Sequence, residues 1–297
     1  MSPETPKFGF LNVNKPPGPT SHDIVAGVRR GTKVRKVGHA GTLDPMASGV
    51  LIVCLGPATR LSSYAMNSPK QYRARIKLGV TTDTYDAEGQ ITAEQPIGDL
   101  TCDQAAAMLP FFVGEIEQIP PMYSAIKQDG KKLYELARAG QEVEREPRQV
   151  TITSLELLSC DLPEVEVLVH CSPGTYIRSL AYDLGAMLGV GAHLTGLVRV
   201  TSGAFHVDDA IGWDDLQQAI AADDWAQYLL PPDQVLVELP VVHLTAEQVA
   251  RVQHGNAIPA EGAVEGEARA YDPDGRLLAL VKAVGPEWQP VRVFQSS

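Results

Sequence analysis

A chain of 297 residues, 44% apolar and 21% charged, has the composition of a soluble globular protein and the length for a large core and more than one domain. No apolar run approaches the roughly 20 residues of a membrane span, and Met1–Phe10 lacks the apolar stretch of a signal peptide, so the expected address is the cytoplasm, with no membrane partner. The net charge of −11 speaks against a nucleic-acid partner until it is divided: residues 1–80 carry 12 Lys+Arg against 3 Asp+Glu, and residues 201–297 carry 5 against 15. A polyanion responds to the local field and not to the sum.

In chain order, Phe8 to Val13 reads as a strand, followed by the turn Asn14-Lys15-Pro16-Pro17-Gly18-Pro19. Thr20, with Asp23 three residues on, is a helix cap. The helix it opens feeds Arg29, Arg30, Lys33, Arg35 and Lys36, a cluster suited to phosphate. Ser21-His22-Asp23 has triad residue types, but three consecutive residues cannot fold onto one another as a relay. Gly38-His39-Ala40-Gly41-Thr42-Leu43-Asp44-Pro45-Met46-Ala47-Ser48-Gly49 then sets one carboxylate in a segment rich in glycine. The proline after Asp44 pushes it out of the helical region. Ordinary turn chemistry is the alternative reading of this stretch alone.

Val50 to Leu55 reads as a buried strand and Pro57 to Ala65 as a helix. Gln71 to Gly79 alternates with period 2, placing Tyr72, Ala74, Ile76 and Leu78 on one face and Arg73, Arg75 and Lys77 on the other. Asp83, Asp86 and Glu88 lie in an acidic loop whose spacing is not that of a calcium site. Thr101 caps a helix through Met108, and Ile116 to Ile126 is a strand broken by Pro120-Pro121. Residues 127–148 mix Lys127, Lys131, Lys132, Arg138, Arg145 and Arg148 with acids and form a charged insertion. Val165 to Cys171 is a strand running into Gly174-Thr175-Tyr176-Ile177-Arg178, at the start of an apolar helix. An arginine there needs a carboxylate partner. Residues 208–233 form an acidic linker, and residues 234–297, with short strands and one helix, a small β-barrel-like domain. Cys54, Cys102, Cys160 and Cys171 form no CxxC pair, which predicts free thiols and no zinc site.

These motifs together resemble the bacterial tRNA pseudouridine-55 synthases of the TruB type. The matches are Asn14-Lys15-Pro16-x-Gly18-x-Thr20-Ser21, then Lys36-Val37-Gly38-His39-x-Gly41-Thr42-Leu43-Asp44-Pro45-x-Ala47-x-Gly49 and Lys70-x-Tyr72. Thr82-Asp83-Thr84-x-Asp86-x-x-Gly89 and Pro120-Pro121-x-Tyr123-Ser124-Ala125-x-Lys127 follow. Gly174-Thr175-Tyr176-Ile177-Arg178-Ser179-Leu180 and Leu194-x-x-Leu197-x-Arg199 complete the set. The tail, His243-Leu244-Thr245-x-x-Gln248, resembles a PUA domain.

The resemblance implies an α/β (α+β) catalytic domain over residues 1–233, with a long, mostly antiparallel mixed sheet and flanking helices, and a PUA-like RNA-binding domain over 234–297. It implies isomerisation of the T-loop uridine (position 55) of tRNA by base flipping, with no metal and no cofactor, in an enzyme with no obligatory protein partner, a monomer. Asp44 becomes the nucleophile, Tyr72 the ring over the uracil and the base, and Arg178 the partner that orients Asp44. His39 helps hold the splayed loop, and Lys15, Tyr176 and Leu197 become pocket walls. Arg29, Arg30, Lys33, Arg35, Lys36, Lys127, Lys131 and Lys132 are the expected RNA-backbone contacts, with the insertion as a clamp. The alternatives are a guide-RNA-dependent, dyskerin-like subunit and a non-catalytic RNA-binding or RNA-folding protein.

Overall fold

The computed structural model describes residues 8–294 except 125, 129, 142, 263 and 264, and not the side chains of 127, 128, 132, 134 and 138. The chain opens with β1 (Gly9–Lys15), α1 (Ser21–Thr32), β2 (Val37–His39), β3 (Ser48–Leu55), α2 (Ser62–Met66) and β4 (Lys70–Leu78). α1 begins where expected: Thr20 accepts from the backbone of Asp23 while the Asp23 carboxylate accepts from that of Thr20. β3 is buried along nearly its whole length, so it reads as an unbroken apolar run and not as an alternation. β4 alternates as its sequence predicts.

β5 (Val80–Thr82), β6 (Ile91–Glu94), α3 (Cys102–Met108) and β7 (Gly114–Gln118) follow, and the insertion contributes β8 (Lys127–Gln128), β9 (Lys131–Lys132) and α4 (Leu133–Arg138). Then come β10 (Arg148–Asp161), β11 (Glu164–Cys171), α5 (Ile177–Met187), β12 (Ala192–Ser202), β13 (Phe205–His206), β14 (Ile211–Gly212) and α6 (Trp213–Ala221). The main sheet runs β14-β1-β3-β12-β4-β11-β10-β7, with β2 on β3 and β13 on β12. Only β1/β14 and β3/β12 are parallel among its described pairs. This is the mixed, mostly antiparallel sheet that was expected.

Two expectations fail. Residues 208–233 are not a linker: β14 joins the sheet, and Leu216 and Trp225 are buried in the core beneath it. α6 lies so close to α1 that a Cβ on Gly31 would sit 2.1 Å from Ile220, a proximity that acidic composition does not reveal. The four cysteines are not all free either. Cys102 and Cys160 form a disulfide across 5.9 Å between Cα atoms, linking α3 to β10, while Cys54 and Cys171 are buried thiols. The two partners lie 58 residues apart, so spacing carried no signal.

The last segment holds β15 (Val241–His243), α7 (Ala246–Gln253), β16 (Ile258–Pro259), β17 (Glu267–Tyr271), β18 (Leu277–Val284) and β19 (Glu287–Val293). Its five strands pair β15-β17-β18-β19-β16, with their own core around Leu244, Val252 and Trp288. A second cluster joins this segment to the main sheet: Leu236, Leu280 and Phe294 pack with Phe10, Val50, Ile52 and Cys54. Tyr64 hydrogen-bonds Glu267, and Arg60 donates to the carbonyl of Val293 at 2.8 Å and lies over the Phe294 ring.

The shared cluster has a measurable consequence. A chain stopped at Pro232 uncovers Phe10, Val50 and Ile52. At roughly 1.5–3 kcal/mol per large side chain returned to water, it should be less stable than the full chain by about 3 kcal/mol or more in urea denaturation. An unchanged midpoint and slope would show that the cluster contributes nothing.

Candidate active site

The loop that carries Asp44 is held by groups that the sequence scatters widely. Ser21, the first residue of α1, accepts from the backbone N–H of Leu43 at 2.9 Å and donates to its carbonyl at 3.0 Å. Lys15 is wholly buried, and its ammonium donates to the carbonyls of Pro16, Pro19 and Pro45 at 2.8, 2.8 and 3.1 Å. Its three protons are therefore spent on the backbone. Lys15 ties the β1–α1 turn to the loop. Burial pulls its pKa down to about 8.

Arg199, also buried, completes the frame: Nε donates to the carbonyl of Val50 at 2.6 Å and Nη2 to that of Gly41 at 3.1 Å. Gly49 (φ +96°) is compulsory here, because a Cβ would stand 2.3 Å from the carbonyl oxygen of Arg199.

Asp44 meets Arg178 as a close pair. Nη2 donates to Oδ1 at 3.2 Å, and Nε lies 3.0 Å from Oδ2. Arg178 is buried at the start of α5, and it has further partners: Asp86 Oδ2 3.5 Å from Nη1, with the carbonyls of Thr84 and Tyr123 accepting from Nη1 and Nη2 at 3.3 and 2.9 Å. Asp86 is itself buried, and accepts from the Thr84 hydroxyl at 2.6 Å and the Glu88 amide at 3.1 Å. One guanidinium thus serves two carboxylates.

Burial raises the Asp44 carboxyl above the usual range, Arg178 pulls it back, and Asp86 adds to the rise. The guanidinium thus offsets burial and does not overturn it. Asp86 was visible only as part of an acidic loop. Its role as second partner needed the fold, because the loop reaches Arg178 through the bridge between Asp86 and Leu194.

Tyr72 lies on β4 directly opposite Arg199 on β12, whose guanidinium charge acts on its hydroxyl. Burial pushes the phenol up while Arg199 opposes, so the hydroxyl is neutral at ordinary pH. Leu197, two residues before Arg199, is buried on the same strand. Tyr176 caps α5, and the Gln118 side chain pins its backbone in both directions, at 2.7 and 2.9 Å. His39 is half-buried on β2 with its ring edge-on to His22, 5.2 Å between centroids, and burial lowers its pKa to about 4. It is neutral near pH 7.

Of the expected backbone contacts, Arg29, Arg30, Lys33, Arg35, Lys36 and Lys131 are exposed, and the side chains of Lys127 and Lys132 lie outside the described residues. On β4, Arg73 and Arg75 stay exposed, whereas the lysine that opens the strand does not. Lys70 is buried with its ammonium on the carbonyls of Ala65, Met66 and Ser68, and Arg73 and Arg75 flank Glu166 at 3.9 and 4.0 Å. Among the described residues no cluster of three or more His, Cys, Asp or Glu could hold a metal ion, and no helix is long and apolar enough to cross a membrane.

Comparison with known proteins bears on the whole chain. Residues 29–177 match the TruB family pseudouridylate synthase (N terminal domain). Residues 178–237 match the tRNA pseudouridylate synthase B C-terminal domain, and residues 239–295 match tRNA Pseudouridine synthase II, C terminal. A tRNA pseudouridine synthase B of Dehalococcoides mccartyi is 44% identical over 97% of both chains, and that of Burkholderia pseudomallei 46% over 93% of both. Among solved structures, a Cbf5-Nop10-Gar1 complex is similar with a TM-score of 0.75 and 30% identity, covering 98% of this chain and 85% of the other.

The acid limb of the free enzyme's pH profile follows from the Asp44 environment, if reaction needs the carboxylate. In kcat/KM it should lie above the ordinary aspartate value of about 3.9. Asp86→Asn removes a like charge and should move the limb down; Arg178→Gln removes the opposing cation and should move it up. Limbs that coincide in all three proteins would detach Asp44 from the titration.

Proposed function

As this chain belongs to the TruB family of pseudouridine synthases, we propose that it acts alone on tRNA, converting the T-loop uridine at position 55 to pseudouridine. The observation that carries the reading is the Asp44–Arg178 pair, a carboxylate aligned by a buried guanidinium in a loop braced from three sides. An RNA-binding protein without chemistry has no use for such a group, whose desolvation costs stability.

The reaction breaks the N1–C1′ bond, turns the uracil and forms a C5–C1′ bond, after which C5 loses its proton and N1 gains one. Asp44 acts as a nucleophile on C6 of the base or C1′ of the sugar, or as the base that yields a glycal. Arg178 orients it. Tyr72 supplies the ring that stacks on the flipped base, and its phenolate oxygen, the form that Arg199 favours against burial, takes the C5 proton to become the phenol. Tyr176 and Leu197 line the pocket, and neutral His39 offers an uncharged ring to the opened loop. The target must leave its stack, at a cost of a few kcal/mol, met by phosphate contacts from Arg29, Arg30, Lys33, Arg35, Lys36 and the insertion with Lys127, Lys131 and Lys132. Residues 1–233 form the catalytic part and 234–297 a PUA-like module in a cytoplasmic monomer.

The guide-dependent alternative is the less favoured one: the Cbf5 likeness is at 30% identity, against 44–46% for the synthase B relatives.

Two experiments test the proposal. Tritium release from a tRNA transcript labelled at uridine C5, with no guide RNA added, should be rapid with the wild-type chain. It should fall at least about a thousandfold in Asp44→Asn, which loses the nucleophile but keeps the basic surface and so still binds tRNA. Turnover within tenfold of wild type would remove Asp44 from the chemistry. Replacing Arg29, Arg30, Lys33, Arg35 and Lys36 by Gln should weaken binding and flatten its salt dependence by about one unit of slope for each phosphate no longer neutralised. An unchanged slope would move the RNA to another face.

A further inference from the structure

Arg178 takes its carbonyl acceptors from two separate loops: Thr84 in the loop that also carries Asp86, and Tyr123 in the segment after Pro120-Pro121. Both loops are reached by one residue of the insertion. Arg145 donates from Nη1 to the carbonyl of Pro120 at 3.1 Å, and its guanidinium charge acts on the hydroxyl of Tyr85.

Tyr85 is an unusual place for a tyrosine. It stands between Thr84 and Asp86 with φ +63°, a conformation that a bulky residue keeps only when its surroundings impose it. Three of those constraints belong to the enzyme body. Its amide donates to the carbonyl of Thr82 at 3.2 Å, its own carbonyl accepts from Leu194 at 3.0 Å, and its ring stacks on Tyr182 at 4.1 Å between centroids and 25° between planes. Tyr182 follows Arg178 by four residues on α5, so the two share a helix face. The fourth constraint, at the hydroxyl, comes from the insertion.

Building on the proposed reaction, we infer that Arg145 and Tyr85 are positioning residues: Arg145 pins the Tyr85 and Pro120 loops around Arg178, so that RNA gripped by the insertion and alignment of Asp44 are energetically coupled. The physical requirement for such coupling is an element whose arrangement both sites bias. The Thr84–Asp86 loop is that element, because a shift of Tyr85 moves one carbonyl and one carboxylate of Arg178 together. Neither residue touches the reacting atoms.

The test uses the full chain and saturating unmodified tRNA, reading single-turnover tritium release beside tRNA affinity for Tyr85→Phe, Arg145→Ala, Arg145→Lys and the Tyr85→Phe/Arg145→Ala double variant. Tyr85→Phe keeps the ring stack and loses only the hydroxyl. It and Arg145→Ala should each slow the saturating rate about tenfold, with affinity changed far less. The double variant should be no slower than the slower single one, since both break one linkage. Arg145→Lys should behave like Arg145→Ala, because an ammonium lacks the fork that reaches both groups.

A normal saturating rate with weakened affinity in Arg145→Ala, rescued by Lys, would make Arg145 a plain phosphate contact and overturn the inference. So would rate reductions that multiply in the double variant. Should Arg145→Ala prove unfolded in a thermal melt, a normal rate in Tyr85→Phe would by itself overturn it. An inactive wild-type chain in the same assay is a separate failure, that of the uridine reaction itself.

Discussion

The site depends on one electrostatic arrangement: a buried guanidinium, Arg178, facing two carboxylates, Asp44 and Asp86, of which only the first is open to a substrate. Two acids near one cation leave the cluster with surplus negative charge in a desolvated place. Burial first, and Asp86 after it, hold the Asp44 carboxyl above the usual range in spite of its partner. The strain is useful. In the proposed reaction a fully neutralised, deeply paired aspartate would be a poor nucleophile or base, whereas one whose counter-charge is shared keeps electron density on its carboxylate oxygens. The carbonyls of Thr84 and Tyr123 complete the shell of Arg178, so its orientation is set from four directions before substrate arrives.

Precision in the loop comes from cations spent on backbone. Lys15 and Arg199 are buried, and their protons go to the carbonyls of Pro45, Gly41 and Val50 in and beside the loop that carries Asp44. A loop cannot satisfy its inward carbonyls with itself, and an unpaired buried carbonyl is costly. Long cationic side chains reaching from β1 and β12 solve both problems, fixing the loop to two strands of the sheet. Ser21 does the same at Leu43 from the first turn of α1. In this loop long cations serve as internal braces.

What the sequence made legible follows this division. Helix caps at Thr20 and Thr101, the alternation of β4, and the Asp44 loop were readable because each signal lies within a few residues. The pairing of Asp44 with Arg178 needed the family resemblance, since 134 residues separate them. The part of Asp86, the clasp of Gln118 on Tyr176, and the Cys102–Cys160 bond were not readable, because each joins elements distant in sequence and made of ordinary residue types. The acidic stretch 208–233 misled for a related reason. The two acids of α6, Asp214 and Asp215, are exposed, while the apolar positions Trp213, Leu216 and Ile220 recur at helical spacing and pack inward.

The charge asymmetry has its own structural logic. The basic residues after α1 are exposed, while the acidic C-terminal segment rests on the opposite side of the main sheet, through Phe10, Val50 and Ile52 on one part and Leu280 and Phe294 on the other. Arg269, a cation of that segment that RNA could meet, is instead held by the carbonyls of Leu239 and Val237 and by the Tyr271 hydroxyl. Arg251 likewise donates to the carbonyl of Ala257 at 2.7 Å. A polyanion approaching this molecule therefore meets attraction on the α1 side and repulsion along much of the C-terminal segment. Screening confines that repulsion to about 8–10 Å at ordinary salt, so the segment acts on orientation at close range and not on capture at a distance. An acidic segment joined to a basic face in this way narrows the poses in which a polyanion can lie against the molecule.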